Sequence, residues 1–194
     1  MKSIGEKRLV RKLKARDPRA FETLVKQYQR SVFNLVYRMI GAKEEAEDLA
    51  QEVFVNVFKK IDTFRGDSSL STWILRIASN ACKNRQKYLG RRYYDRPARV
   101  LKDEQVSTNP TSPRTAGTIA RPDELVEGYQ TERLLQEAIG SLDDEQRLVL
   151  VLRDIQGMTY DEISEITGLA LGTVKSRLHR ARMSLKEKLA PHLR

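Results

Sequence analysis

Residues 159–185 read TYDEISEITGLALGTVKSRLHRARMSL, and this stretch decides the fold of the C-terminal part of the chain. Thr159 and Glu162 have the spacing of a helical capping box, and Gly168 suits the left-handed position that follows a helix end. The segment after the turn has an apolar stripe at helical spacing, formed by Val174, Leu178, Ala181 and Leu185. The pattern predicts a helix-turn-helix with a cationic, DNA-reading second helix. The alternative is an amphipathic helical hairpin with a solvated basic face.

The first half of the chain also has helical periodicity. Asp17 and Pro18 are typical of a helix start and Gly41 of a helix end, with apolar residues repeating at three and four between them. Residues 43–61 repeat Ala46, Leu49, Ala50, Val53, Val57 and Ile61 in the same way. A polar loop, 64–71, precedes another helix. A shorter basic helix with Leu9, Val10 and Leu13 is expected before Asp17.

A change of composition divides the chain in two. Residues 96 to about 122 are rich in Pro, Ser and Thr and have little periodicity, which is typical of a flexible linker. Beyond it we expect a helix around 133–139 and a second one that is capped by Asp143 and stopped by Gly157. The predicted fold is all-α, with two small helical domains at 1–95 and 125–194 and a flexible linker at 96–124.

The charge distribution favours a nucleic-acid partner. The chain has 36 Lys and Arg against 26 Asp and Glu, a net charge of +10. Residues 123–165 carry 12 acidic and 3 basic side chains, whereas residues 174–194 carry 7 basic and 1 acidic. This contrast suggests a further hypothesis: acidic surfaces of the chain cover its basic DNA-facing helices when no partner is bound.

Several classes of function find no support in the sequence. The single Cys82 excludes an internal disulfide and a multi-cysteine zinc site, and the two histidines, His179 and His192, form no metal cluster. We expect no cofactor, no metal and no catalytic residues, because neither a nucleophile set nor a phosphate-binding glycine loop is present. The aliphatic run Leu148–Leu152 is too short to span a bilayer, and the start of the chain lacks an apolar signal segment. A cytoplasmic protein is expected.

Three segments in order resemble one known family. DLAQEVFVNVF (48–58), FRGDSSLSTWILRIASNACKN (64–84) and MTYDEISEITGLALGTVKSRLHRARMSLKEKL (158–189) resemble the signature segments of the extracytoplasmic-function sigma factors of the sigma-70 family, particularly the heat-shock and envelope-stress members. The resemblance implies a sigma region 2-like domain, a region 4-like domain and a non-enzymatic role in promoter-specific transcription initiation. It also implies three partners: the RNA polymerase core, promoter DNA and an anti-sigma factor.

The resemblance assigns an acidic face of the 43–61 helix to docking. This face consists of Asp48, Gln51, Glu52 and Val55, at spacings of three and four and away from the core stripe. In the family this surface binds the coiled-coil clamp of the largest polymerase subunit, where arginines can pair with the carboxylates. The alternatives for these residues are a solvated helix face or a stray cation site.

The next helix and the loop before it match the part of the family that contacts the minus-10 promoter element. The implied contacts are Phe64, Arg76, Asn80, Lys83, Asn84, Arg91 and Arg92. Amide side chains can both donate to and accept from base edges, and the cationic side chains neutralise phosphates. By resemblance, the 64–71 loop holds a base flipped out of the non-template strand. Phe64 is the expected stacking platform, and Trp73 is expected in the core.

The second helix of the helix-turn-helix matches the part that reads the minus-35 element. Lys175, Ser176, His179 and Arg180 are the implied readers, with Arg180 the foremost base contact, and Thr173, Arg177 and Arg182 are the implied backbone contacts. Ala170 departs from the family pattern, in which many relatives have proline at this turn.

Two other functions remain as alternatives at this point. A free-standing helix-turn-helix regulator accounts for the C-terminal segment but leaves the docking face and the 64–84 segment without a role. A nuclease or recombinase would need converging carboxylates or a nucleophile beside the DNA. Two promoter-reading domains on a linker instead suggest an adaptor that uses the polymerase core as its scaffold.

Overall fold

The protein is described by a computed structural model that covers residues 4–94 and 122–192, with side chains at 5–89 and 130–192. This part of the chain contains eight α-helices and no strand, so the all-α prediction is confirmed. The helices are α1 (Ile4–Lys14), α2 (Pro18–Ile40), α3 (Lys43–Lys60), α4 (Leu70–Tyr94), α5 (Pro122–Gly140), α6 (Asp144–Leu150), α7 (Tyr160–Thr167) and α8 (Leu171–Leu189).

The central helix of the N-terminal module, α2, begins and ends where the sequence predicts. Asp17 Oδ1 accepts a hydrogen bond from the backbone N–H of Arg19 at 2.9 Å, and Pro18 occupies the first helical position. Gly41 ends the helix with a φ of 89°, a conformation that favours glycine. The predicted stripe is buried along α2, so that α1, α3 and α4 pack around it. Its buried members are Leu24, Tyr28, Val32, Leu35, Val36 and Met39, while Phe21 and Val25 are half-buried.

Both neighbouring helices present their predicted apolar faces to α2. All six repeated residues of the 43–61 segment are buried, including Ile61 in the short 3-10 turn Ile61–Thr63 that follows α3. Helix α4 starts at Leu70, and Ser69 Oγ caps it by accepting from the backbone N–H of Thr72 at 3.0 Å. On its apolar side Ile74 and Ala78 are buried, and Ile77 and Ala81 are half-buried.

The C-terminal module begins earlier than expected. Helix α5 starts at Pro122, so residues that were expected at the end of the linker are helical, and it incorporates the helix expected around 133–139. The remainder of the predicted linker, 96–121, lies outside the described residues. Asp143 caps α6 by accepting from the backbone N–H of Glu145 at 3.0 Å and of Gln146 at 3.4 Å.

The strand-like run Leu148–Leu152 is helical, as its caps predict. It forms the end of α6 and the start of a π-helical turn, Val151–Ile155, and Gly157 stops this segment with a φ of 70°. Helices α5 to α8 pack together, and the buried apolar residues of both modules form one continuous core.

Candidate nucleic-acid interface

Hydrogen bonds fix both the start of α7 and the turn between α7 and α8. Thr159 Oγ1 accepts from the N–H of Glu162 at 3.3 Å, and Glu162 Oε2 accepts from the N–H of Thr159 at 2.9 Å. Gly168 follows in the left-handed conformation with a φ of 75°. Ser164 Oγ donates to the carbonyl of Leu169 at 2.6 Å. These contacts confirm the predicted capping box and helix stop. The turn leads into α8 in a helix-turn-helix arrangement, although position 170 is alanine and not the proline that many relatives have.

Helix α8 is anchored on one side and open on the other. Val174, Leu178 and Ala181 are buried, and Leu185 is half-buried. The exposed residues include Lys175, Ser176, His179 and Arg180, the four predicted minus-35 readers. The helix therefore presents these polar side chains outward while its apolar stripe sets its orientation.

Two residues predicted to contact the DNA backbone form ion pairs inside the module in this structure. Arg177 Nη2 lies 2.5 Å from Glu145 Oε2. Arg182 donates to both carboxylate oxygens of Asp154, at 3.0 and 2.5 Å, and this hydrogen bonding raises the pKa of Arg182. Thr173 is half-buried, and its carbonyl accepts from Ser176 Oγ at 3.1 Å. Arg177 and Arg182 thus tie α8 to the preceding helices.

The predicted minus-10 face lies along α4. Asn80 and Asn84 are exposed one turn apart, beside the half-buried Lys83 and the exposed Tyr88. Arg76 is partly covered by α7, where its Nη2 lies 2.6 Å from Glu165 Oε1. Arg91 and Arg92 lie within α4, but their side chains are outside the described part of the structure.

Phe64, the expected stacking platform, is covered in this structure. Phe64 is only 4 % exposed, and its ring centroid lies 5.3 Å from that of Trp73, which is half-buried. Helix α1 packs beside the 64–66 segment, and together they line a shallow groove. The Phe64 ring is therefore covered by tertiary packing, with Trp73 as its ring contact.

Helix α1 contributes residues that the sequence interpretation missed. Glu6 Oε1 accepts from the backbone N–H of Leu70, the first residue of α4, at 3.2 Å. Lys7 and Arg11 line the groove beside Arg65. The basic composition of α1 was a signal for a nucleic-acid contact, but its position beside the loop depends on tertiary packing.

The predicted docking residues form one accessible surface on α3. Asp48, Gln51, Glu52 and Val55 are all exposed and line a shallow groove. Val55 is 51 % exposed, so an apolar side chain is accessible among the polar ones of this surface. The groove is completed by Asn56, Lys59 and Arg85.

Arg85 of α4 belongs to this acidic surface. Its guanidinium bridges Glu45 at 2.6 Å and Glu52 at 2.7 Å. Burial lowers the pKa of Arg85, but the two carboxylates outweigh that effect and the net shift is upward. Glu52 is therefore already paired within the chain, whereas Asp48 has no polar side-chain partner among the described residues.

Neither a metal centre nor a reactive thiol is found in the described part of the chain. No group of three or more His, Cys, Asp or Glu side chains there is close enough to hold a metal ion. Cys82 is buried, and burial raises the pKa of its thiol to about 12. Within residues 4–94 and 122–192, none of the helices combines the length and the apolar composition that crossing a membrane requires.

Comparisons with known proteins agree with this geometry. Residues 24–92 match the family described as Sigma-70 region 2, and residues 132–185 match that described as Sigma-70, region 4. The chain is 34 % identical over 186 residues to the ECF RNA polymerase sigma-E factor of Escherichia coli, covering 96 % of this chain and 95 % of the relative. It is 32 % identical over 189 residues to the RNA polymerase sigma-H factor of Pseudomonas aeruginosa, covering 97 % and 96 %.

The chain belongs to the extracytoplasmic-function sigma factors of the sigma-70 family. It is a non-enzymatic protein that directs promoter recognition by RNA polymerase. The match to region 2 accounts for α3 and α4, which a free-standing helix-turn-helix regulator or a nuclease would leave without a role.

Solved structures share the fold of this sigma factor. One is the sigma factor RpoE in complex with the anti-sigma factor NepR from Bartonella quintana, with a TM-score of 0.68, 24 % identity and coverage of 88 % of this chain and 96 % of that chain. Another is CnrH in complex with the cytosolic domain of CnrY, with a TM-score of 0.66, 22 % identity and coverage of 96 % and 97 %. At these identities the likeness supports the fold.

Proposed function

We propose that this sigma factor divides promoter recognition between its two modules. Helix α8 reads the minus-35 element through Lys175, Ser176, His179 and Arg180, and α4 contacts the opened minus-10 element through Asn80, Lys83 and Asn84, together with Arg76, Arg91 and Arg92. The observation that carries the proposal is the outward polar face of α8, which the helix-turn-helix holds by burying the opposite stripe. The proposed domains are 1–95 and 125–194, joined by residues 96–124.

The α3 surface is the proposed docking site for the polymerase core. Its exposed carboxylates and Val55 offer acceptors for cationic side chains beside an apolar contact. Captured single-stranded bases then shift promoter DNA toward its opened state, because the protein binds only that state through α4. Nucleotidyl transfer remains with the core enzyme.

An anti-sigma factor and a cytoplasmic location complete the proposal. The sigma factor RpoE of Bartonella quintana was captured with such an inhibitor, and CnrH with the cytosolic domain of CnrY. A protein inhibitor of this chain would be identified by co-purification from its source cells and by loss of factor-dependent transcription when it is added.

The docking assignment is tested by reversing one charge on α3. We expect Asp48→Lys to weaken binding to purified core polymerase roughly ten-fold or more, because a docking acceptor becomes a like charge. Glu22→Lys is the matched control, since this exposed residue of α2 carries the same charge change on a helix that does not line the groove. Equal affinities of the two variants, measured by fluorescence anisotropy of labelled protein, would place docking elsewhere.

A further inference from the structure

One aromatic side chain of α4 is exposed and takes no part in the packing. Tyr88 is 59 % exposed, the highest fraction among the exposed large apolar and aromatic side chains of the described residues. Within residues 5–89 and 130–192 its ring has no aromatic or cationic partner, and its hydroxyl has no hydrogen bond. A tyrosine ring offers a large apolar surface and a polar tip to a ligand. The packing of the protein does not account for this ring.

Tyr88 lies next to the proposed minus-10 contacts. It follows Asn84 by four positions, so the two side chains are neighbours one turn apart on α4. Asn84 follows Asn80 by the same spacing, and all three residues are exposed. The ring therefore extends the row of exposed amides by one turn, which is about 6 Å along the helix axis.

The surroundings of the ring are cationic. Helix α4 contains no Asp or Glu, and Lys87, directly before Tyr88, is exposed and has no ion pair among the described residues. Arg85 is turned away from this side, because Glu45 and Glu52 hold it against α3. An exposed aromatic ring beside a cation is the combination that binds single-stranded nucleic acid, since a base stacks on the ring while a phosphate pairs with the cation.

The aromatic rings near the beginning of α4 are less accessible than Tyr88. Phe64 is only 4 % exposed, and its ring centroid lies 5.3 Å from that of the half-buried Trp73. Tyr88 lies about four helical turns beyond Trp73. In this structure, a ring open to a base is therefore found near the C-terminal end of α4.

We propose that Tyr88 is a stacking platform for an unpaired base of the opened promoter strand, at the edge of the minus-10 element that faces minus-35. This inference rests on the proposed function, because it adds a residue to the same DNA-contacting face. The chain runs from the C-terminal end of α4 to the module that reads minus-35, so this end of the helix is assigned to the upstream side. Lys87 pairs with the adjacent phosphate.

The test uses holoenzyme reconstituted from the full chain and purified core polymerase, with a forked promoter DNA taken from a mapped start site. Each unpaired base of the minus-10 region is replaced in turn by an abasic site. We expect wild-type holoenzyme to lose affinity about five-fold or more when the base at the upstream edge is removed, because that base no longer stacks. Tyr88→Ala should bind the intact fork as weakly, and removal of the same base should cost it nothing further.

Two further variants separate stacking from charge. Tyr88→Phe keeps the ring and should retain the wild-type sensitivity to the abasic site. Lys87→Ala should lower the slope of log affinity against log salt by about 0.7, the contribution of one phosphate of a single strand, whereas Tyr88→Ala should leave that slope unchanged. Circular dichroism verifies that all three variants keep their helical content.

Two results would overturn the stacking role. One is a Tyr88→Ala holoenzyme that keeps the wild-type loss of affinity at every abasic site. The other is weaker binding of Tyr88→Ala to core polymerase, measured by fluorescence anisotropy, with unchanged DNA affinity of the assembled holoenzyme, which would assign the ring to a protein contact. If wild-type holoenzyme does not distinguish the promoter fork from a fork of unrelated sequence, the proposed function itself fails, so the two failures are distinguishable.

Discussion

Arg177 and Arg180 lie one turn apart on α8, but they have different roles in the structure. Arg177 is held against Glu145 at 2.5 Å, whereas Arg180 is exposed and has no polar side-chain partner among the described residues. The family resemblance implied a DNA contact for both, base reading for Arg180 and a backbone contact for Arg177. Their surroundings differ because α6 packs against α8 and brings Glu145 to Arg177.

Arg180 is expected to determine specificity at the minus-35 element. Replacing it with alanine should remove about 1 to 3 kcal/mol of discrimination between the preferred element and a version with its contacted base pair changed. Lys186→Ala is the control, because Lys186 is exposed on the same helix and was not predicted to read bases. Competition binding by the holoenzyme measures the effect, and equal discrimination by both variants would remove Arg180 from the set of readers.

Cys82 is expected to be unreactive in the native protein. Burial raises its thiol pKa to about 12, so the thiol stays protonated at pH 8 to 9, whereas an unfolded chain has a pKa near 8.5 by ordinary peptide values. Alkylation by iodoacetamide at pH 8.5 should therefore be slow in buffer and fast in urea. Rapid native labelling, followed by mass spectrometry, would contradict the buried position.

Phe64 shows what single residues do not reveal about burial. A phenylalanine beside a polar loop has the composition of a stacking platform, and the resemblance favoured that role. In the structure the ring is buried and packs on Trp73, next to a groove that α1 also lines. No local pattern in residues 64–71 records that α1 packs there, so this burial depends on tertiary contacts.

Helices α2, α3, α7 and α8 were predictable because their signals are local. Capping residues, glycines at positive φ and apolar spacing of three and four all lie within the segments concerned. The C-terminal module was predicted to begin at residue 125, but α5 already begins at Pro122. Pro122 follows a Pro-rich and Ser-rich stretch and was therefore assigned to the linker, although proline is a common first residue of a helix. The α6 run LVLVL was correctly predicted as helical from its caps despite its strand-like composition.

The turn of the helix-turn-helix is expected to depend on Gly168. Gly168→Ala should destabilise the protein by about 1 to 2 kcal/mol, because a φ of 75° is costly for a residue with a Cβ. Gly172→Ala is the matched control. Gly172 lies inside α8 without positive φ, and an added Cβ there meets nothing within 4 Å, so this change should be neutral or stabilise by up to about 1 kcal/mol. Urea denaturation compares the two, and equal shifts would contradict the assigned turn geometry.

At the scale of the whole molecule, the two helical modules were predictable from the sequence, but the way they pack against each other was not. Composition located a linker and two helical halves, and the acidic 123–165 stretch suggested a cover for basic helices. The specific ion pairs, such as Arg76 with Glu165 and Arg38 with Glu132, join residues that are far apart in the sequence. Such contacts leave no periodicity in the sequence, which is why the modules could be predicted and their contact surface could not.

The central claim is that this chain directs the polymerase core to promoters through two DNA-reading modules. The most direct measurement is in vitro transcription of total source DNA by purified core, with and without the protein, followed by sequencing of transcript 5′ ends. The account predicts new start sites that share two upstream elements, one near minus-10 and one near minus-35, and that disappear when the protein is omitted. Start sites identical to those of the core alone, despite demonstrated folding of the added protein, would contradict it.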